Sequence, residues 1–136
     1  MAVHVIPYLI CRDVTASADF LARAFGFTEE ARRETPSGGL HAEMVLEDQR
    51  IMLGQMAPQG ADPADMRPPA DMPGNVATSG IFVYLEEIDA HFERATEAGA
   101  EIVHPPRNVE YGRTYTARDA DGHRWFFTRP PKLSAA

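Results

Sequence analysis

Cysteine is almost missing from this 136-residue chain, with Cys11 standing alone. An internal disulfide is impossible, and so is a structural zinc site built on several thiolates. Basic residues are outnumbered, 13 Lys and Arg against 20 Asp and Glu, giving a formal net charge of −7. With no basic run to neutralise phosphates, a nucleic-acid partner is not expected. The acidity suits solubility first and a cationic small ligand second. No apolar stretch approaches the ~20 residues of a membrane span. The opening Met1-Ala2-Val3-His4-Val5-Ile6-Pro7 lacks the basic start of a secretory signal and enters strand-like sequence at once, so a cytoplasmic location is expected. No glycine loop fit to cradle phosphate occurs, since Ser37-Gly38-Gly39 reads as a hairpin turn. No nucleophile is paired with a base: Thr15 and Ser17 belong to a helix start, and Cys11 reads as a buried, inert thiol on an apolar strand.

What is present is one domain's worth of ordinary globular sequence, 44% hydrophobic and 24% charged, arranged as two similar halves. Module one spans 1–56 and module two 79–130, joined by a linker loop over 57–78 and followed by a tail over 131–136. Each module reads strand, helix, then three strands. Asp13-Val14-Thr15-Ala16-Ser17 is echoed by Glu87-Ile88-Asp89-Ala90-His91 at the two strand-to-helix junctions. Thr15 and Asp89 are the expected N-caps, because each carries an oxygen for the free N–H groups of a first turn. Each helix stops at a glycine suited to the left-handed C′ position, Gly26 or Gly99. Apolar stripes of Leu21, Ala24 and Phe25, and of Ile88, Phe92 and Ala95, face one side of each helix. The first strand alternates Val5, Pro7, Leu9 and Cys11 on one face with His4, Ile6, Tyr8 and Ile10 on the other. Pro7 cannot donate to a ladder, which places this strand at an edge or an irregular position. The linker, with Pro63-Ala64-Asp65-Met66 and Pro69-Ala70-Asp71-Met72, has no lasting period and reads as an irregular loop, either a lid or a connector.

The closing stretch Tyr111-Gly112-Arg113-Thr114-Tyr115-Thr116-Ala117-Arg118-Asp119-Ala120-Asp121-Gly122-His123-Arg124-Trp125-Phe126-Phe127 reads as two strands joined by a tight Asp-Gly turn, with Gly122 supplying positive φ. Together with Ile6-Pro7-Tyr8-Leu9, Ala24-Phe25-Gly26-Phe27, Leu40-His41-Ala42-Glu43-Met44 and Glu97-Ala98-Gly99-Ala100, it resembles the vicinal oxygen chelate superfamily, which holds glyoxalase I, extradiol dioxygenases and bleomycin-binding proteins. The resemblance implies an α+β fold of two βαβββ modules, forming a curved mixed sheet with a concave cup and paired in a homodimer.

Enzymes of that superfamily hold a divalent metal in the cup. Carried over by position, its ligands would fall on Ile6, Met52, Gly80 and Phe126, none of which offers a nitrogen or carboxylate donor. The resemblance therefore points to the metal-ligand-lacking branch, with no cofactor. The chain's own candidates for a divergent site are His41 and Glu43, which share a strand face two residues apart, and His4. His104, ahead of Pro105-Pro106, is expected to end a strand, and His123 to sit exposed in the hairpin turn. In the implied register the cup receives Ile6, Tyr8, Met52, Phe82, Tyr84 and Phe126, with Tyr115 or Arg113 at its rim. An apolar, aromatic surface of this kind suits a planar or amphipathic ligand. The leading expectation is a metal-free binding protein that sequesters a small aromatic or hydrophobic molecule, like the drug-binding resistance members. Its ligand-binding residues are Tyr8, Met52, Phe82, Tyr84, Arg113, Tyr115 and Phe126. The alternative is a divergent metal-dependent glyoxalase, lyase or dioxygenase using His41, Glu43 or His4.

Overall fold

The computed structural model describes residues 2–36, 38–57 and 65–132. Ser37, residues 58–64 of the linker and 133–136 of the tail lie outside the described residues. In the first half, β1 (Tyr8–Cys11), α1 (Val14–Phe25), β2 (Thr28–Glu34), β3 (Leu40–Leu46) and β4 (Gln49–Gln55) give a sheet ordered β1-β4-β3-β2. The second half repeats this with β5 (Gly80–Tyr84), α2 (Ile88–Glu97), β6 (Glu101–Val109), β7 (Gly112–Arg118) and β8 (Arg124–Arg129), ordered β5-β8-β7-β6. In each sheet the first and last strands are parallel and the other pairings antiparallel. The fold is thus α+β, two βαβββ modules, as the resemblance implies.

Alternation decides which face each strand buries. On β3 and β4, Ala42, Met44, Ile51 and Leu53 turn toward the helices and are buried, while His41, Glu43, Met52 and Gly54 take the other face. The helix ends differ from expectation by two residues. The Asp13 carboxylate, not Thr15, caps α1 by accepting from the Ala16 N–H (3.1 Å). Thr15 sits inside the helix and its hydroxyl receives a bond from Arg32. On α2 the capping position is Glu87, without a side-chain bond, and Asp89 lies in the first turn facing Arg113. Gly26 ends α1 at φ 86° as expected, and Gly99 has φ 90°.

The two modules share one core. Phe25, at the end of α1, is fully buried against Trp125 and Phe127 of module two, with ring centroids 5.2 and 4.8 Å away. Across the same boundary Arg94 of α2 donates to the Ala22 and Arg23 carbonyls (2.9 Å each), satisfying acceptors that α1 leaves open at its C-terminus. His91 joins the seam as well. Its Nδ1 meets the Tyr115 hydroxyl at 2.5 Å and its Nε2 the Phe25 carbonyl at 3.3 Å. Desolvation in this aromatic setting holds the His91 pKa below its ordinary 6.5.

The final hairpin is the main fastening. Its turn is five residues rather than two, organised by the Asp119 carboxylate, which accepts from the Asp121 and His123 backbone N–H groups (3.0 Å each) and from the Trp125 indole (2.9 Å). Gly122 has φ 83°, and a Cβ there would overlap the Asn75 side chain and approach the Ala70 backbone. Asp121, 3% exposed, accepts from the Arg12 backbone N–H (2.9 Å) and from the Ser17 hydroxyl in module one. The Asp121 carbonyl takes the Ala70 N–H (2.9 Å), so the 65–76 segment, with its short helical turns at Pro69–Asp71 and Pro73–Asn75, is docked on the hairpin. His123 is half-buried instead of exposed, its Nε2 donating to the Ile10 carbonyl (2.8 Å). β6 runs on through His104 and the two prolines, with register shifts that accommodate their missing donors.

Replacing Asp121 by Ala leaves a buried hydroxyl and a backbone N–H unanswered. Urea unfolding is expected to show a loss of about 2–4 kcal/mol. Because folded His91 resists protonation while the unfolded chain accepts it, its contribution is whole above the unfolded pKa and is lost as pH falls below it. Stability is therefore expected to drop between about pH 7 and 5, with a shallower drop in His91→Phe, when denaturation midpoints are compared across that range.

Candidate ligand-binding surface

Helices cover one face of each sheet, and the opposite faces carry the candidate site. On sheet two, Gly80, Phe82 and Tyr84 of β5 are exposed, in register with Arg124, Phe126 and Thr128 of β8. Phe82 is the centre of an aromatic group. It stacks on Phe126 (5.9 Å, planes 13° apart), meets Tyr84 edge-on (5.6 Å) and lies 6.5 Å from Tyr111. Phe82 is 51% exposed and Tyr84 70%, so the rings do not shield one another from water. Tyr111 was not foreseen as part of this surface. Its place in the β6–β7 turn, one residue before Gly112, is the only local hint.

Sheet one contributes Tyr8, Met52, Gly54, His41 and Glu43. His41 and Glu43 do share a face, but Glu43 is paired with Arg50 (3.4 Å), which also meets Glu30 (3.0 Å). The rings of Tyr8 and His41 lie 5.9 Å apart. His4 is exposed in the segment ahead of β1.

Two expected rim residues are elsewhere. Tyr115 is fully buried on the helix side of β7, against His91 and Phe92. Burial raises its phenol pKa, so it stays protonated. Arg113 has the same parity and makes a two-point bridge to Asp89 at the start of α2 (2.8 and 3.0 Å), holding that carboxyl below its usual range. Neither faces the cup. Tyr8 and Met52 sit on one sheet and Phe82, Tyr84 and Phe126 on the other, and a cleft between the sheets brings Met52, Phe82 and Tyr84 into one lining.

That cleft, about 1790 Å³, runs between the N-terminal segment and β5. It exceeds the several hundred cubic ångströms of a pocket shaped for one small ligand. Five carboxylates (Glu43, Glu47, Asp48, Glu86 and Glu87) and two arginines (Arg50 and Arg94) line it, so a neutral or cationic guest is favoured over an anion. The residues do not fit a divalent cation. Ile6, Met52, Gly80 and Phe126 occupy the carried-over positions, and a Cβ at Gly80 would strike the Phe126 ring. Among the described residues no three of His, Cys, Asp and Glu gather as a metal site would require. Cys11 is buried, and desolvation raises its pKa, so it presents no thiolate.

The chain belongs to the glyoxalase/bleomycin resistance protein/dioxygenase superfamily, whose sequence profile matches residues 2–127. An uncharacterised protein of Mycobacterium bovis is 31% identical over 126 residues, covering 91% of this chain and 81% of that protein. Among solved structures, TioX from Micromonospora sp. ML1 is similar at TM-score 0.70 and 28% identity, covering 96% of this chain and all of TioX (100%). Two others, both 18% identical, share the fold. TnmS3, an antibiotic-binding protein from Streptomyces sp. CB03234, has TM-score 0.65 and covers 96% of this chain and 99% of its own. The fosfomycin resistance protein FosX from Mesorhizobium loti has TM-score 0.68, covering 96% of this chain and 94% of its own.

The buried position of Tyr115 carries an expectation. Tyr115→Phe removes the partner of His91 Nδ1 and is expected to lower stability by about 1–2 kcal/mol in urea unfolding. Ligand affinity, read by titration calorimetry, should be unchanged.

Proposed function

We propose that this protein binds and sequesters a small aromatic or hydrophobic molecule on the face centred on Phe82, without chemical turnover. The observation that carries the reading is the group of exposed Phe82, Tyr84 and Tyr111 around half-buried Phe126, on a face with no donor set for a metal among the described residues. Stacking rings left in water favour a planar guest, which gains both apolar burial and ring contacts. The family includes binding proteins, and the likeness to TnmS3, which binds an antibiotic, supports the same reading.

A homodimer completes this site. The outer edges of both sheets are guarded: β2 carries Glu29, Glu30, Arg32, Arg33 and Glu34, and β6 carries Pro105-Pro106 with two register shifts. The inner edge β5, Gly-Ile-Phe-Val-Tyr, has no charge, proline or bulge. Ahead of β1, Val3 and Val5 are more than nine-tenths exposed and line the same oversized cleft as β5. A second copy laying this segment along β5 covers the bare edge, narrows the cleft and leaves the rings as the wall of a smaller pocket.

A thermal-shift screen of planar aromatic antibiotics and metabolites tests the binding reading. At least one compound is expected to raise the melting temperature, and Phe82→Ala to abolish that shift. Uniform failure would count against sequestration. Metal that survives dialysis in stoichiometric amount, and is lost in His41→Ala, would replace it with a divergent metal-dependent enzyme built on His41, Glu43 or His4. For the dimer, Val5→Asp alters only an exposed side chain in the single chain. It is expected to convert a dimer to a monomer in sedimentation velocity, with little change in the fold.

A further inference from the structure

His41 stands on β3 opposite Gly54 of β4, with Nε2 shielded from solvent and without a hydrogen-bond partner among the described residues. An imidazole nitrogen left in this state destabilises the folded chain, and buried polar groups are otherwise satisfied as a rule. Asn75 Oδ1 shares the condition, but it lies against the Gly122 backbone, inside the docked hairpin.

The surroundings of His41 suggest what could answer it. Position 54 has no side chain, and a Cβ there would overlap the Tyr8 hydroxyl. The Tyr8 ring lies over that space, tilted 46° to the imidazole at 5.9 Å. Tyr8 is half-exposed, and its hydroxyl makes no hydrogen bond to the described residues. A ring resting on a glycine, tied down by no polar contact, is free to change rotamer. Glu43, the next residue on this face, and Arg50 answer each other, and Arg50 also meets Glu30. On the other flank Arg33 of β2, opposite His41 in register, forms no ion pair among the described residues, so a cation lies open beside the imidazole.

We propose that His41 is a specificity-determining residue. Tyr8 swings off Gly54, and a hydroxyl on an aromatic guest takes the vacated place and hydrogen-bonds His41 Nε2. A hydroxyl both donates and accepts, so it suits either tautomer of the ring. This rests on the binding reading above and adds to it the chemical class of guest: planar, apolar and bearing a phenol or alcohol.

The test uses β-naphthol and β-methylnaphthalene, which match in shape and differ by hydroxyl against methyl. Affinities are measured by fluorescence titration on the full chain, His41→Phe and His41→Gln. Wild type is expected to prefer β-naphthol by roughly fivefold, the size of one neutral hydrogen bond. His41→Phe should abolish that preference, and His41→Gln, which still offers an amide, should keep part of it. His41→Phe should also raise the thermal midpoint of the free protein, since it removes an unsatisfied nitrogen. Should that variant not fold, Gly54→Ala fills the vacated place and is expected to erase the preference instead. Equal affinities in wild type, a preference that survives His41→Phe, or a lowered midpoint in that variant would overturn the His41 assignment and leave the binding face standing. Failure of both probes to bind wild type would overturn the assignment and the binding reading together.

Discussion

One buried carboxylate holds the architecture in place. Asp121 belongs to the last hairpin, yet its oxygens receive the Arg12 amide and the Ser17 hydroxyl from the first module, and its carbonyl receives the linker through Ala70. Stripping water from a carboxylate is expensive, and hydrogen bonds aimed at its oxygens offset that cost only while every partner stays in position. A group of this kind favours one arrangement of three chain segments over all others. Phe25 and Arg94 then seal the same boundary by apolar contact and by capping. Once the helix-bearing faces are joined this way, the opposite faces of both sheets have no helix of their own to cover them.

The functional reading follows from that leftover surface. A protein with no use for it would be expected to make it polar. Here sheet two presents four aromatic rings, and the strand beside them carries none of the features that keep an edge from pairing. The charges and prolines placed on β2 and β6 make the contrast sharper, because the same chain guards two edges and leaves a third open. Sheet one is more polar, with a paired glutamate and an unanswered imidazole.

Much of the fold could be read from the chain because the signals are local. Glycines at 26 and 99 mark helix ends through a left-handed φ, and alternation marks strands through their period of two. The site was less legible. Phe82, Tyr84 and Phe126 share a face because strand parity alone puts them there, once β5 is paired with β8. Tyr115 and Arg113 were expected at the rim and lie on the helix side, since a slip of one residue in register turns every side chain over. They moved together, as residues two apart must. The caps shifted by a similar margin, to Asp13 and Glu87, because several acids and hydroxyls crowd each junction. Asp121, Arg94 and the His91–Tyr115 pair had no local signature, their partners being 24 to 109 residues away. Tyr111 escaped because a turn aromatic says nothing about which ring it will approach.

Arg94 ties the integrity of one repeat to the other. Its guanidinium finishes the last turn of a helix that belongs to the other repeat, while Arg23 of that helix reaches back toward the Ala98 carbonyl (3.4 Å). Each repeat thus supplies an arginine that closes the C-terminal end of the other repeat's helix. A chain cut at the linker would yield two pieces, each with open carbonyls at a helix end and an uncovered aromatic flank, so neither half is complete without the other.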